Sequence, residues 1–131
     1  EGWIRFRYPA IRGGREVEGV EFTFAQGRVV AAKAAKNEAY LLSQLDSDPG
    51  ARYLGEFAIG TNDRIQRFTK NILFDEKIGG TIHIALGAGY PETGSRNDSS
   101  IHWDFICDMR RDSEIWVDGE LFYKDGRFMI A

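Results

Sequence analysis

Hydrophobic and polar residues alternate over several short stretches of this chain, with the period of two residues that is typical of a half-buried β-strand. The stretch 101–109 shows the pattern most fully, because Trp103 and Phe105 share one face while His102 and Asp104 take the other. Asp-Gly pairs between the last stretches are signals of tight hairpin turns. The pattern predicts a hairpin over residues 16–34 and strands over residues 3–8, 55–60, 81–86, 101–109, 114–117, 120–123 and 127–130.

The period of the pattern becomes helical near the middle of the chain. Asn37 is a suitable N-cap for an apolar stripe of tyrosine and leucine, so we expect a helix over about residues 38–46. A Pro-Gly pair ends this helix, and a second short helix is expected over residues 51–54, while residues 64–78 have loosely helical spacing. The sequence therefore predicts an α+β fold: a β-rich single domain with a mostly antiparallel sheet and two or three short helices.

The composition is that of an ordinary globular domain of 131 residues, and it narrows the possible partners. With 17 basic and 20 acidic residues the net charge is −3, which favours neither nucleic acid nor an anionic membrane surface. The longest apolar runs are far too short to span a bilayer. A lone cysteine, Cys107, excludes an intrachain disulfide and favours a reducing, cytoplasmic setting, with the thiol as an inert apolar group.

Both histidines of the chain lie on predicted strands, which are joined by a loop rich in Gly, Ser, Asn and Asp. His102 and Asp104 are two residues apart, so a strand places them on one face, about 6.6 Å apart along the chain. With His83 on the other strand, they form the beginning of a metal site. The alternative is that His102 and Asp104 lie on a solvated face and that His83 is a half-buried structural residue.

Three further residues have a structural interpretation beside a functional one. Glu56 begins an apolar strand between two glycines, where an unpaired carboxylate is costly to bury, so it needs a metal ion or a basic partner. Glu76 is either a ligand or a charge at a helix end, and Tyr90 is either a site residue or a surface aromatic of the loop. The sequence contains no P-loop, no GxSxG and no HExxH motif.

Four blocks of the chain together resemble one known family. They are GARYLGEFAIG over residues 50–60, NILFDEKIGGTIHIALGAGYPETG over 71–94, NDSSIHWDFICDMR over 97–110 and VDG over 117–119. In this order and spacing they resemble the aminopeptidase T and aminopeptidase S family of dinuclear-metal aminopeptidases. The likeness extends over nearly the whole chain, which makes it more specific than any single motif.

The resemblance implies a metal-dependent aminopeptidase that releases N-terminal residues from peptides through a water activated by two divalent metal ions. The ions would be zinc or cobalt, or else magnesium or manganese, and the substrates would be peptides with a free N-terminus. A homodimer is implied for the full-length enzyme. Neither nucleic acid nor a membrane is expected as a partner.

The resemblance also implies roles for particular residues. Tyr90 corresponds to the catalytic tyrosine of the family, which would donate a hydrogen bond to the oxyanion. Glu56 would be a ligand and a candidate for the glutamate that carries the proton to the leaving amine, a role that an upstream glutamate could equally fill. The spacing between Glu76 and the first histidine varies in the family. The implied metal ligands are Glu56, Glu76, His83, His102 and Asp104.

The resemblance further implies that residues 1–131 are the C-terminal metal-binding (catalytic) domain of a longer, thermophilic-type enzyme, whose N-terminal domain lies outside this chain. One more glutamate ligand would then be missing, so we expect the isolated chain to be weakly active or inactive. The alternative function is a non-enzymatic β-rich interaction or oligomerisation domain, suggested by aromatics such as Trp3 and Trp116. The distances among the two histidines, Asp104 and Glu56 discriminate between the two functions.

Overall fold

The computed structural model describes residues 1–129 as eleven β-strands and two α-helices. The helices are α1 (Glu38–Leu45) and α2 (Ile72–Asp75), and a 3₁₀ turn covers Pro91–Thr93. Within residues 1–129 no helix combines the length and the apolar composition that crossing a membrane requires. The strands are β1 (Gly2–Arg5), β2 (Ala10–Arg12), β3 (Arg15–Val17), β4 (Glu21–Ala25), β5 (Arg28–Lys33), β6 (Leu54–Ile59), β7 (Thr81–Gly87), β8 (His102–Asp108), β9 (Glu114–Val117), β10 (Glu120–Lys124) and β11 (Arg127–Phe128).

In the described part of the chain these strands pair only in the antiparallel sense, and they form four small sheets. One sheet has the order β1-β4-β5, a second pairs β2 with β3, a third has the order β6-β7-β8 and the last has the order β9-β10-β11. The β-rich α+β fold with antiparallel strands and short helices is thereby confirmed. The sheet β6-β7-β8 carries both histidines, and its central strand β7 is buried along its whole length.

The main hydrophobic core lies between the sheet β1-β4-β5, helix α1 and one face of β7 and β8. Phe6, Phe22 and Phe105 meet in this core, with ring centroids 4.9 to 5.9 Å apart. Trp103 packs beside Phe105 and is 3% exposed. Alternate residues of β8 are thus fixed in the core, which directs the residues between them to the opposite face of the sheet.

Helix α1 confirms the first predicted helix, but the capping role predicted for Asn37 is wrong. Asn37 has a left-handed backbone with φ of 58°, and its side chain donates a hydrogen bond to the carbonyl of Glu16 instead of capping α1. The helix predicted over residues 51–54 is wrong as well, because this segment is a turn that leads into β6. Tyr53 forms an isolated bridge with Arg28 there, so a contact between distant residues overrides the local helical signal.

Within residues 64–78 only α2 is helical, although the apolar spacing is loosely helical throughout. The residues before α2 are bound to distant parts of the chain. The ring of Phe68 stacks on Tyr8 at a centroid distance of 4.3 Å, and Lys70 forms an ion pair with Glu16. Such contacts give no signal in the local sequence.

The predicted strands are present with altered bounds. The strand predicted over residues 3–8 ends at Arg5, and the hairpin predicted over residues 16–34 consists of β4 and β5. Strand β3 pairs instead with β2, a ladder that the pattern did not indicate. The strand predicted over residues 127–130 begins as β11, and its last residue, Ile130, lies outside the described residues.

Candidate metal centre

Three adjacent strands present the candidate ligands on one face of a sheet. In the register of β6, β7 and β8, Glu56 lies opposite Ala85, and Ala85 lies opposite Asp104. Residues paired across antiparallel strands share a face, and so do residues two apart on one strand. His83 therefore joins Ala85 on β7, and His102 joins Asp104 on β8. The small side chain of Ala85 leaves space between the two carboxylates.

The side chains of the two histidines and the two acids converge. The Nε2 atom of His83 lies 2.8 Å from Oε1 of Glu56. The Nε2 atom of His102 lies 3.5 Å from Oε2 of Glu56 and 3.3 Å from Oδ1 of Asp104. Ligand atoms of Glu56, His83 and Asp104 all fall within 4.8 Å of one another. Such convergence is expected for a metal-binding enzyme and not for a β-rich interaction domain.

The ring of His102 is held by a hydrogen bond on its other side. Its Nδ1 atom lies 2.6 Å from the carbonyl oxygen of Ala88. A carbonyl oxygen only accepts, so Nδ1 donates to it, and Nε2 is the ring nitrogen that faces the carboxylates. Backbone carbonyls orient many metal-binding histidines in this way. Sequence reasoning missed Ala88, because a backbone oxygen leaves no signal in the residue type.

Asp104 has an unsatisfied oxygen in the middle of the site. Its Oδ1 atom is buried and accepts no hydrogen bond from the described residues. Burial raises the pKa of Asp104 above its usual value; the two histidines act against this, whereas Glu56 and Glu76 raise it further. A cation would relieve both the burial cost and the mutual repulsion of the carboxylates. Carboxylate and imidazole donors fit zinc and similar divalent ions.

Glu76 lies in the same cleft as these four residues but outside their cluster. It follows α2, whose N-terminus is capped by Asn71, since Oδ1 of Asn71 accepts from the amide of Leu73. The Oε1 atom of Glu76 lies 2.9 Å from Nζ of Lys77. Glu76 is therefore near the centre but bound to a neighbouring lysine, and its role as a ligand stays a prediction.

Tyr90 lies in the loop between β7 and β8, with its ring centroid 5.8 Å from that of His102. More than half of its side chain is exposed. The loop is fixed just before this residue, where Gly89 packs so closely on Ser95 and the backbone of Gly55 that a Cβ atom would collide with them. Tyr90 therefore lies at the edge of the candidate metal centre and directly follows a tightly packed residue of the loop.

A cleft of about 360 Å³ contains all six predicted site residues, and we call it the main cleft. Its volume lies in the range of small-molecule sites in proteins. The remaining lining residues come from α2, the end of β6 and their neighbouring turns: Ile59, Gly60, Thr61, Ile72, Leu73 and Lys77.

Comparisons with known proteins identify relatives of this chain. The family model described as Thermophilic metalloprotease (M29) matches residues 1–128. Aminopeptidase T of Thermus thermophilus is 34% identical over an alignment that covers 96% of this chain and 33% of that protein. Aminopeptidase AmpS of Bacillus subtilis is 31% identical, with 98% of this chain and 36% of that protein covered. The chain thus spans about a third of the length of these relatives.

The fold is also found in a solved structure. Wild-type AmpT from Thermus thermophilus superposes with a TM-score of 0.82 at 29% sequence identity. The superposition covers 99% of this chain and 36% of that chain, so it includes all three strands of the candidate metal centre.

Proposed function

Because this chain belongs to the thermophilic metalloprotease family M29, we propose that it is the metal-binding part of an aminopeptidase. Such an enzyme is a hydrolase that removes residues from the N-terminus of a peptide. The observation that carries the proposal is the convergence of Glu56, His83, His102 and Asp104 on one face of three strands. The relatives indicate the type of reaction, and the convergence indicates where it takes place.

The proposed centre holds two divalent metal ions, zinc or cobalt, or else magnesium or manganese. Carboxylate and imidazole donors suit these ions, and the unsatisfied Oδ1 atom of Asp104 provides one ligand position. Bound there, such ions supply a Lewis acid that polarises a carbonyl group and acidifies water. The proposed ligands are the converging four and the acid at the end of α2: Glu56, His83, His102, Asp104 and Glu76.

The side chains around the centre have separate tasks in the proposed reaction. Glu56 accepts a proton from the attacking water and delivers it to the leaving amine. Tyr90, at the rim of the main cleft, donates a hydrogen bond to the oxygen on which negative charge develops. A free α-amine on the substrate would be a further donor to the divalent metal ions, which favours peptides with that end exposed.

The proposal is tested on the metal-loaded protein at its natural length, with a short peptide and the same peptide N-acetylated. We expect cleavage of the unblocked peptide alone, loss of cleavage with a chelator, and recovery when zinc or cobalt is added. Glu56→Gln removes a ligand and the proton acceptor, so kcat should fall by at least about a thousandfold. The exposed Glu92→Gln is the matched control and should keep kcat within about twofold.

Two results would refute this proposal. One is turnover that survives complete removal of metal by the chelator. The other is a Glu56→Gln variant with the kcat of the parent protein.

We also propose that the enzyme is a cytoplasmic homodimer. The single cysteine, Cys107, suits a reducing compartment. Trp116, Val117 and Phe128 are exposed on the sheet β9-β10-β11, and a second copy of the protein would cover such an apolar face.

A further inference from the structure

A second cleft, of about 250 Å³, adjoins the metal centre, and we call it the side cleft. It shares Ile72, His102 and Asp104 with the main cleft, so a molecule bound at the centre has direct access to it. None of the roles proposed above uses the rest of the side cleft.

The side cleft is lined by a buried carboxylate, that of Asp75, which is 1% exposed. Its Oδ1 atom accepts hydrogen bonds from the amide of Thr69 at 2.8 Å and from the hydroxyl of Thr69 at 2.7 Å. Asp75 forms no ion pair with any of residues 1–129. The two hydrogen bonds from Thr69 offset part of the cost of burying this charge, but no cation of the described residues neutralises it.

Two basic residues also line the side cleft, but both are engaged elsewhere. The Nε atom of Arg12 donates to Oε1 of Gln44 at 2.9 Å. The Nζ atom of Lys70 pairs with Oε1 of Glu16 at 2.9 Å, and this ion pair lowers the pKa of the glutamate and raises that of the lysine. Neither basic residue forms an ion pair with Asp75, so its carboxylate is open to an incoming cation.

The other side chains of the side cleft give it an apolar wall. Trp103 and Ile106 are almost completely buried, so their positions are fixed by the core. An apolar wall beside a carboxylate suits a side chain with an aliphatic stem and a cationic head group. The apolar lining residues are Pro9, Ala10, Ile11, Phe68, Ile72, Trp103 and Ile106.

We propose that the side cleft receives the side chain of the substrate's N-terminal residue, and that Asp75 binds the cationic head group of arginine or lysine there. The inference rests on the proposed aminopeptidase function and adds a preference for basic N-terminal residues. Apolar N-terminal residues use the same wall without contacting Asp75. Acidic N-terminal residues are disfavoured, because their charge is repelled by Asp75.

Asp75→Asn separates recognition of charge from support of the fold, because asparagine keeps an oxygen that accepts from Thr69. The measurement is kcat/KM for arginyl- and leucyl-p-nitroanilide, on the metal-loaded protein at its natural length. For the arginyl substrate we expect a loss of about tenfold to a hundredfold, the effect of losing one charge-assisted hydrogen bond. For the leucyl substrate kcat/KM should stay within about twofold, which also shows that the variant is folded.

A second variant, Ile72→Lys, places a competing cation on the wall shared by the two clefts. Ile72 is 41% exposed, so the fold tolerates the longer side chain. We expect kcat/KM to fall for both substrates, because Ile72 belongs to the apolar wall, and to fall at least about tenfold further for the arginyl substrate, whose charge alone is repelled by the new lysine. This variant tests the inference even if Asp75→Asn folds poorly.

Binding is measured separately from turnover by isothermal titration calorimetry on the metal-loaded protein at its natural length. Argininamide should bind at least about tenfold more weakly to Asp75→Asn than to its parent, and leucinamide about equally to both.

The possible outcomes separate the inference from the proposed function. An equal loss for arginyl and leucyl compounds, or no loss for either, overturns the inference, because Asp75 would then only fasten Thr69. A protein that binds argininamide through Asp75 but cleaves no peptide refutes the proposed function and supports the side cleft as a site for basic side chains.

Discussion

His102 and Asp104 are two residues apart and contribute to the site in different ways. The ring of His102 is oriented by the carbonyl of Ala88, so its Nε2 atom faces the carboxylates before any ligand arrives. Asp104 is held with a buried oxygen that has no hydrogen-bond partner among the described residues. A cation meets ligands that are already in position, which reduces the entropic cost of binding it.

Tyr90 provides a test of a single hydroxyl group. Tyr90→Phe keeps the ring beside His102 and removes only the hydrogen-bond donor. We expect kcat to fall by about a hundredfold to a thousandfold, as when an oxyanion donor is removed, with an unchanged metal content and melting temperature. The measurements are steady-state kinetics and metal analysis of the protein at its natural length.

Tyr53→Phe is the matched control for this prediction, because Tyr53 is also exposed and lines neither cleft. It should leave kcat within about twofold. If Tyr90→Phe behaved like this control, the role proposed for Tyr90 would be wrong.

At the scale of single residues, the sequence predicts which neighbours in the chain lie on the same face of a strand. The pairing of His102 with Asp104 on one face follows from strand alternation alone. The short distance between His83 and Glu56 does not, because it depends on the register of β6 against β7. The unpaired state of Asp75 had no sequence signal, since a carboxylate in a polar stretch is usually solvated.

Among the elements, β8 depends on the loop that leads into it. The carboxylate of Asp48 accepts hydrogen bonds from the amide of Ser100 at 2.8 Å, its hydroxyl at 2.7 Å, and the hydroxyl of Ser99 at 2.8 Å. The amide of Gly50 donates to it as well. These bonds, above all those from Ser100, lower the pKa of Asp48 to about 2. Ser99 and Ser100, which come shortly before His102, are thus hydrogen-bonded to the turn after α1.

Replacing Asp48 by asparagine should therefore destabilise the protein in a pH-dependent way. A carboxyl group whose pKa is lower in the folded state stabilises that state above its ordinary pKa of 3.8, and this contribution is lost as the pH falls through about 2. Asp48→Asn should lower the free energy of unfolding at pH 7, and the difference from the parent should shrink between pH values of about 4 and 2.

Urea denaturation at a series of pH values measures this difference. Asp98→Asn is the control, because Asp98 is exposed in the same loop, and its effect should be small at every pH. A difference between Asp48→Asn and the parent that stayed constant down to the lowest pH would contradict the hydrogen-bond argument.

The elements with strong local signals were predicted and those that depend on distant partners were not. Helix α1 has its own apolar stripe, and the hairpin β9-β10 has an Asp-Gly turn. The ladder between β2 and β3 and the turn at residues 51–54 are set by contacts with other parts of the chain. Periodicity within a short window does not contain that information.

At the scale of the whole molecule, the pattern of hydrophobic and polar residues was sufficient to predict the fold class, and the resemblance was sufficient to predict the family. The resemblance also pointed to Glu56, which no local pattern connects with the histidines. The side cleft was not predictable, because its walls come from segments that are distant in sequence and meet only in the folded chain.

The isolated chain should be a poor enzyme, because it spans about a third of the length of the aminopeptidases that it matches. We expect kcat/KM for a leucyl substrate to be at least about a hundredfold lower for residues 1–131 than for the protein at its natural length, under equal metal loading. Light scattering on the same two samples should give the mass of a dimer for the longer protein. Equal turnover of the two samples, or a monomeric mass for the active longer protein, would contradict these expectations.

The strands β6 and β8 never pair with each other, since β7 lies between them. The backbones at Glu56 and Asp104 are therefore separated by two strand spacings, about 10 Å. A ligand that binds both carboxylates would connect the two outer strands of this sheet. Because it binds the folded state, its binding free energy adds to the free energy of unfolding. A protein built in this way should unfold at a higher temperature when such a ligand is bound.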